Sequence, residues 1–166
     1  MLFAAAFALI ACSIAPAHAQ REKIAINVDL IQGGQVCGAS YRLGDNRSLD
    51  IRINAENGNV DIAVQNLPAE IVNAGRDREN VPITLIFNGS YRTTTDVGAF
   101  IAGFTYRAQG YWENNDDGFD AIARLIEVET LSVEIDGVSY GTATSEPGPD
   151  LGYNYIINCL DQIEGQ

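Results

Sequence analysis

The chain has 166 residues, 22 Asp or Glu against 10 Lys or Arg, and a formal net charge of −12. That length suits one domain with its own hydrophobic core, held without metal. An acidic excess of this size repels nucleic acid and anionic lipid, which argues against both as partners. It keeps a monomer soluble and would attract a cationic partner.

Residues 1–19, MLFAAAFALIACSIAPAHA, are apolar and carry no Asp, Glu, Lys or Arg. They end in Ala17-His18-Ala19, a small-x-small pattern that signal peptidase reads, and the stretch breaks at Pro16 before it could span a bilayer. We expect a signal peptide over 1–19 and a single β-rich domain over 20–166 without a transmembrane segment, periplasmic or secreted. Leu9-Ile10-Ala11-Cys12 also fits a lipoprotein cleavage site, so an outer-membrane lipoprotein anchored at Cys12 is the alternative. Removal of 1–19 would take the only histidine, His18, and leave Cys37 and Cys159 as the only cysteines. In an oxidising compartment such a pair is expected to form one disulfide. Closing so long a loop stabilises a fold by roughly 4–5 kcal/mol in the chain-entropy model.

In chain order, IAINVDL (24–30) and VCGASYRL (36–43) flank a Gly-rich turn at 32–35. SLDIRIN (48–54) and NVDIAVQ (59–65) alternate apolar and polar residues on either side of Asn57-Gly58. VPITLIF (81–87) precedes Asn88-Gly89, and Asp136-Gly137 joins TLSVEI (130–135) to VSYGTAT (138–144). Asn-Gly and Asp-Gly supply the positive φ angles of a tight hairpin turn, so these runs read as antiparallel strands. The expected fold is mainly β, an antiparallel β-sandwich or strongly curved sheet. Its core rows would be Ile51 and Ile53; Val60, Ile62 and Val64; Ile83, Leu85 and Phe87; Leu131, Val133 and Ile135. FIAGFTYRAQGYW (100–112) is β-prone as one strand or two, and 66–80 reads as a long exposed connection. Phe119, Ile122, Ala123 and Ile126 recur at helical spacing, which predicts one short helix. Ile156, Leu160 and Ile163 do the same for a C-terminal helix capped by Asp150 or Asn154.

The acidic stretch NNDDGFDAI (114–122) raises the question of a calcium loop. With Gly118 at the glycine position of an EF-hand, Glu113, Asn115 and Asp117 take the first ligand positions, but Arg124 replaces the essential bidentate glutamate. A helix start fits better, with Asp117 as N-cap and Asp120 three residues on. No metal and no cofactor is expected. Without histidine, Ser-His-Asp, Cys-His and His-containing zinc arrangements are excluded. Glu127 with Glu129, and Glu134 with Asp136, would project from strands in pairs, as a wetted sheet face or as a glycosidase's carboxylates do. Tyr106, Tyr111 and Trp112 beside Glu113 form an aromatic group that either packs in the core or meets a glycan or a protein partner.

PITLIFNG (82–89), FDAIARL (119–125), LSVEIDG (131–137) and LGYNYIINCL (151–160) resemble the central strand and turn, short helix, following strand and closing helix of small exported proteobacterial proteins. The groups they are similar to are the invasion-associated locus B family and the accessory periplasmic proteins of type VI secretion. The likeness spans about half the chain; locus B proteins typically carry more cysteines. It implies a compact β-rich envelope protein and supplies no catalytic residue. The expected function is therefore non-enzymatic binding, of a cationic protein (a host lysozyme, for example). The alternatives are a carbohydrate-active enzyme using Glu127, Glu129 or Asp117, and a structural envelope component.

Overall fold

The structure, a computed structural model, describes residues 28–33, 35–68, 78–101, 106–144 and 151–164. The expected signal segment, Lys23, residues 69–77 of the expected 66–80 connection, and Asp150 lie outside them. In chain order the strands are β1 (Val28–Gly33), β2 (Val36–Gly44), β3 (Arg47–Asn54), β4 (Val60–Leu67), β5 (Arg78–Glu79) and β6 (Ile83–Phe87). They continue with β7 (Tyr91–Thr94), β8 (Val97–Ile101), β9 (Tyr106–Tyr111), β10 (Thr130–Ile135) and β11 (Val138–Thr144). Helix α1 (Asn115–Ala123) runs on into a 3-10 turn (Arg124–Glu127), and α2 (Leu151–Glu164) closes the chain. All strand pairs are antiparallel, in a seven-stranded sheet ordered β1-β2-β3-β4-β9-β8-β5 and a four-stranded sheet ordered β11-β10-β6-β7. This is the mainly β, sandwich-like fold the alternation predicts, with its two helices.

All four expected core rows are buried. Register explains how they meet. Cys37, Ile53 and Val60 form one rung of the larger sheet; Ala39, Ile51 and Ile62 form the next; Tyr41, Leu49, Val64 and Ala108 form a third. Each strand turns every second residue inward, and Leu85, Phe87, Leu131 and Val133 of the smaller sheet complete the same cluster. Each large side chain so buried stabilises the fold by roughly 1.5–3 kcal/mol before chain entropy is charged against it.

Two features of this frame depart from the simple pattern. Val64 pairs with Ala108 but Leu67 pairs with Tyr106, so β4 carries an extra residue there, with Asn66 at φ 58°. The bulge reverses the inward-outward parity, which carries β4 to Leu67 and buries that side chain. The expected 66–80 connection thus begins inside a strand, and its far end, Arg78–Glu79, is β5. The 100–112 stretch is two strands, β8 and β9. A Cβ on Gly110 would lie 2.7 Å from Thr95 Oγ1, and one on Gly98 1.9 Å from the Val81 carbonyl oxygen. Glycine at these positions lets the Val81 backbone and the Thr95 side chain lie directly on β8 and β9.

The hairpins differ in length from expectation. Asp136-Gly137 is the two-residue turn predicted, with φ of 52° and 78°. Asn57-Gly58 instead sits in a five-residue loop, 55–59. There the Asn54 and Asn57 side chains accept from the Glu56 and Asn59 amides, a competing turn chemistry that ends the strands early. Asn88-Gly89 lies in a three-residue loop, 88–90.

Cys37 and Cys159 are disulfide-bonded, with Cα atoms 5.8 Å apart and a separation of 122 in sequence. The bond fastens α2 to β2, and the helix lies against β1, β2 and the 3-10 turn. Ile156 and Cys159 are buried; Leu160 and Ile163 rest on the core half-buried. Asn154 lies within α2 and is exposed, so it is not the cap. Among the described residues no helix is long and apolar enough to cross a membrane.

Candidate functional site

The segment joining β9 to β10 carries most of the residues singled out from sequence. Asn114, not Asp117, is the N-cap of α1: its side-chain oxygen accepts from the Asp116 amide at 3.0 Å. The helix therefore begins earlier than expected, and Asp116 and Asp117 occupy its first turn, where carboxylates face the positive end of the dipole. Asp117 also accepts from Asn114 Nδ2 at 3.4 Å. The Asp120 side chain takes no part in the N-cap.

The buried face of this segment is Gly118, Ala121, Ile122 and Leu125. Of the expected stripe only Ile122 is inside; Ala123 is exposed, and Phe119 and Ile126 are 43% and 41% exposed. Gly118 supplies the reason. A Cβ there would lie 2.7 Å from Val60 Cβ, so the helix approaches β4 at a distance that only glycine permits. That approach turns the Gly118, Ala121, Ile122 and Leu125 stripe inward and leaves Phe119 and Ile126 out. Asn115 Nδ2 donates to the Asn57 carbonyl oxygen at 3.4 Å, which ties the helix start to the β3–β4 loop.

The expected aromatic patch divides between two faces. On β9 the even-numbered residues point inward, so Tyr106 is half-buried against the core while Tyr111 is exposed. Trp112 is buried at 2% exposure, so of the two readings the sequence offered it takes the core and not the partner-binding one. Its indole N–H has no partner among the described residues. Glu113 is exposed, and its amide donates to Asp96 Oδ2 at 2.8 Å. Tyr111, Phe119 and Ile126 thus stand out from one continuous segment whose exposed carboxylates are Glu113, Asp116, Asp117, Asp120, Glu127 and Glu129. Arg124 is the one basic residue between 111 and 129. Among the described residues Glu113, Asp116, Asp117, Glu127 and Glu129 enter no ion pair.

A polar constellation that sequence reading missed lies where this segment meets the β6–β7 turn. Asp120 Oδ2 accepts from the Tyr91 hydroxyl at 2.8 Å and from Arg124 Nε at 2.9 Å. The Arg124 guanidinium carbon sits 3.3 Å from the centre of the Tyr91 ring, and Phe87 contacts that ring from a tilted orientation. The hydrogen bond from Tyr91, reinforced by Arg124, holds the Asp120 carboxyl below its ordinary value of 3.8. The same bond pushes the Tyr91 hydroxyl above its ordinary 10.0. A cavity of about 380 Å³ opens here, lined by Phe87, Ser90, Tyr91, Asp120, Ile126 and Glu127 among others. Asn88 braces its wall: Nδ2 donates to the Glu127 carbonyl at 3.0 Å, and Oδ1 accepts from the Glu129 and Thr130 amides at 2.7 and 3.0 Å. The Asp120–Arg124 spacing of four on a helix was the sequence signal for half of this cluster. Nothing local pointed to Tyr91.

The carboxylate pairs do not assemble as expected. Glu127 ends the 3-10 turn and Glu129 lies in the loop after it, so neither is on a strand. Asp117 lies ten residues before Glu127 along the helical segment, on the order of 15 Å at 1.5 Å per residue, beyond the reach of paired glycosidic carboxylates. Glu134 is ion-paired with Arg92, and Asp136 belongs to the β10–β11 turn. On the outer face of the larger sheet Arg52 Nε donates to Asp61 Oδ1 at 2.7 Å. Burial raises the Asp61 carboxyl there, against the pull of Arg52. Among the described residues no group of three His, Cys, Asp or Glu could hold a metal ion. A second cleft of about 670 Å³, lined by Arg42, Arg47, Ser48 and Thr142 among others, opens beside the β2–β3 turn. Arg47 Nε is buried and has no hydrogen-bond partner among the described residues. No protein family, curated protein or solved structure matches this chain.

Proposed function

We propose that this is an exported, non-enzymatic binding protein whose 111–129 segment receives a cationic protein partner. One observation carries the reading. Phe119 and Ile126, apolar and large, are held outside the core by the close seating of Gly118, among carboxylates of which Glu113, Asp116, Asp117, Glu127 and Glu129 enter no ion pair among the described residues. Exposed aromatic and aliphatic anchors bordered by charge are the makings of an interface with a hot spot and a polar rim. The sign of that charge selects a basic surface and speeds the encounter.

The Cys37–Cys159 bond supports an oxidising compartment. With it goes the signal-like segment 1–19, whose removal leaves a soluble periplasmic or secreted chain; an intact mass beginning at Gln20 is the expected result, and a lipidated Cys12 would contradict it. The interface is tested by calorimetric titration of the purified protein with lysozyme and with cytochrome c, two basic proteins. Binding of at least one should weaken about tenfold or more between 50 and 300 mM salt, and by a similar factor in Phe119→Ala with Ile126→Ala. Binding indifferent to both changes, or absent at low salt with both probes, overturns the reading.

A further inference from the structure

In the cavity beside the β6–β7 turn, the protein's own Arg124 shows what the site accepts. Its guanidinium lies over the Tyr91 ring at 3.3 Å and donates through Nε to Asp120 at 2.9 Å. An aromatic face with a carboxylate at its hydroxyl edge forms a recognition set for a guanidinium, which can lie over the ring and donate to the carboxylate at once. Phe87 and Ile126 line the same cavity and suit the aliphatic stem of an incoming side chain. Glu127 also lines it and enters no ion pair among the described residues. It stands three residues beyond Arg124, the spacing at which a displaced Arg124 finds a new carboxylate.

We infer that Tyr91 and Asp120 form an arginine-recognition site, filled by Arg124 in the free protein and taken over by an arginine of the cationic partner on binding. This rests on the reading of the 111–129 segment as a protein-binding surface and names the chemical group that surface selects. The internal arginine keeps the Asp120 carboxylate paired while no partner is present. It also sets a threshold, since the incoming side chain must compete with a tethered one. Lysine fits less well, because an ammonium is a strongly hydrated point charge that neither stacks nor donates in a fixed plane.

The test is a titration of the purified protein with N-acetyl-arginine methylamide, followed by NMR at the amides of 88–92 and 120–127. The matched lysine and citrulline compounds serve as controls. The unaltered protein should bind the arginine compound weakly, with Kd on the order of millimolar. Arg124→Gln should tighten it about three- to tenfold by emptying the site. Adding Asp120→Asn or Tyr91→Leu to Arg124→Gln should remove that gain, two independent routes checked by near-UV circular dichroism for an intact fold. Citrulline, isosteric but uncharged, should not bind. If Arg124→Gln leaves affinity unchanged, if citrulline binds equally, or if the shifts fall elsewhere, the site is not as inferred. If lysozyme or cytochrome c still needs Phe119 and Ile126 but ignores Asp120→Asn, this inference fails and the broader reading stands. The opposite pattern spares the arginine site and removes the broader reading.

Discussion

Helix α2 turns Ile156 and Cys159 into the core and rests Leu160 and Ile163 against it, whereas the α1 segment buries Gly118, Ala121, Ile122 and Leu125 and leaves Phe119 and Ile126 outside. Both carry apolar residues at helical spacing. One is fixed to β2 by a covalent bond; the other is seated on β4 through a glycine. The difference lies in which residues do the holding. In α2 the isoleucine and leucine of the stripe are spent on the scaffold, and Tyr155 alone of its large apolar side chains among the described residues stands exposed. In the α1 segment Ile122 and Leu125 are buried beside Gly118 and Ala121, while Phe119 and Ile126 stay exposed.

That contrast can be broken at its ends. Replacing Cys37 and Cys159 with Ala should cost the most, about 4–5 kcal/mol from loop entropy alone, read as a fall in the urea midpoint. Gly118→Ala should come next. It places a Cβ 2.7 Å from Val60, and the displacement should cost about 1–3 kcal/mol, against which roughly 1 kcal/mol of better helix propensity works. Asn88→Ala removes three hydrogen bonds to residues 127, 129 and 130; about 1–2 kcal/mol should be lost, with protection of the Glu129 and Thr130 amides falling in hydrogen exchange.

The smallest effect is electrostatic, and its sign separates the α1 cluster from the sheet face. Asp120 titrates below 3.8 in the fold, so its contribution is full above that pH and fades as pH falls through the lowered value. Asp61 titrates above 3.8 because burial disfavours its charge, so the cost of its ionised form is relieved as pH falls through the raised value. Tyr91, raised above 10.0, holds its bond up to that pH and loses it as pH climbs through the raised value. Asp120→Asn should therefore flatten the acid limb of stability against pH, and Asp61→Asn should steepen it. Because Asp120 is half exposed, its change should stay below about 1 kcal/mol. Urea unfolding at successive pH values between 2.5 and 6 would measure both.

Much of the sandwich was legible in the chain. The alternation of 48–54, 59–65 and 130–135, and the apolar run of 81–87 before Asn88-Gly89, announce the strands and their buried rows. The lone cysteine pair announces its own bond once export is assumed. What could not be read were events that depend on a neighbour. The bulge at Asn66 flips parity without any local mark beyond a residue tolerant of positive φ. The 118–126 stretch contains two helical stripes sharing Ile122, and sequence favours the more hydrophobic one. Only contact with Val60 decides for the stripe built on Gly118. Trp112 falls to the inward parity of β9, a count from Tyr106 that needs the strand's bounds. Tyr91 lies 29 residues from Asp120 in sequence, a pairing that only the fold creates.

The central claim is that Phe119 and Ile126 serve a partner rather than the fold. A direct measurement is the double variant Phe119→Ala with Ile126→Ala, assayed in parallel for unfolding midpoint and for calorimetric binding of lysozyme and cytochrome c. The account predicts a midpoint within about 0.5–1 kcal/mol of the unaltered protein's stability and an affinity for the responding basic protein reduced about tenfold or more. A large loss of stability with undiminished binding would contradict it.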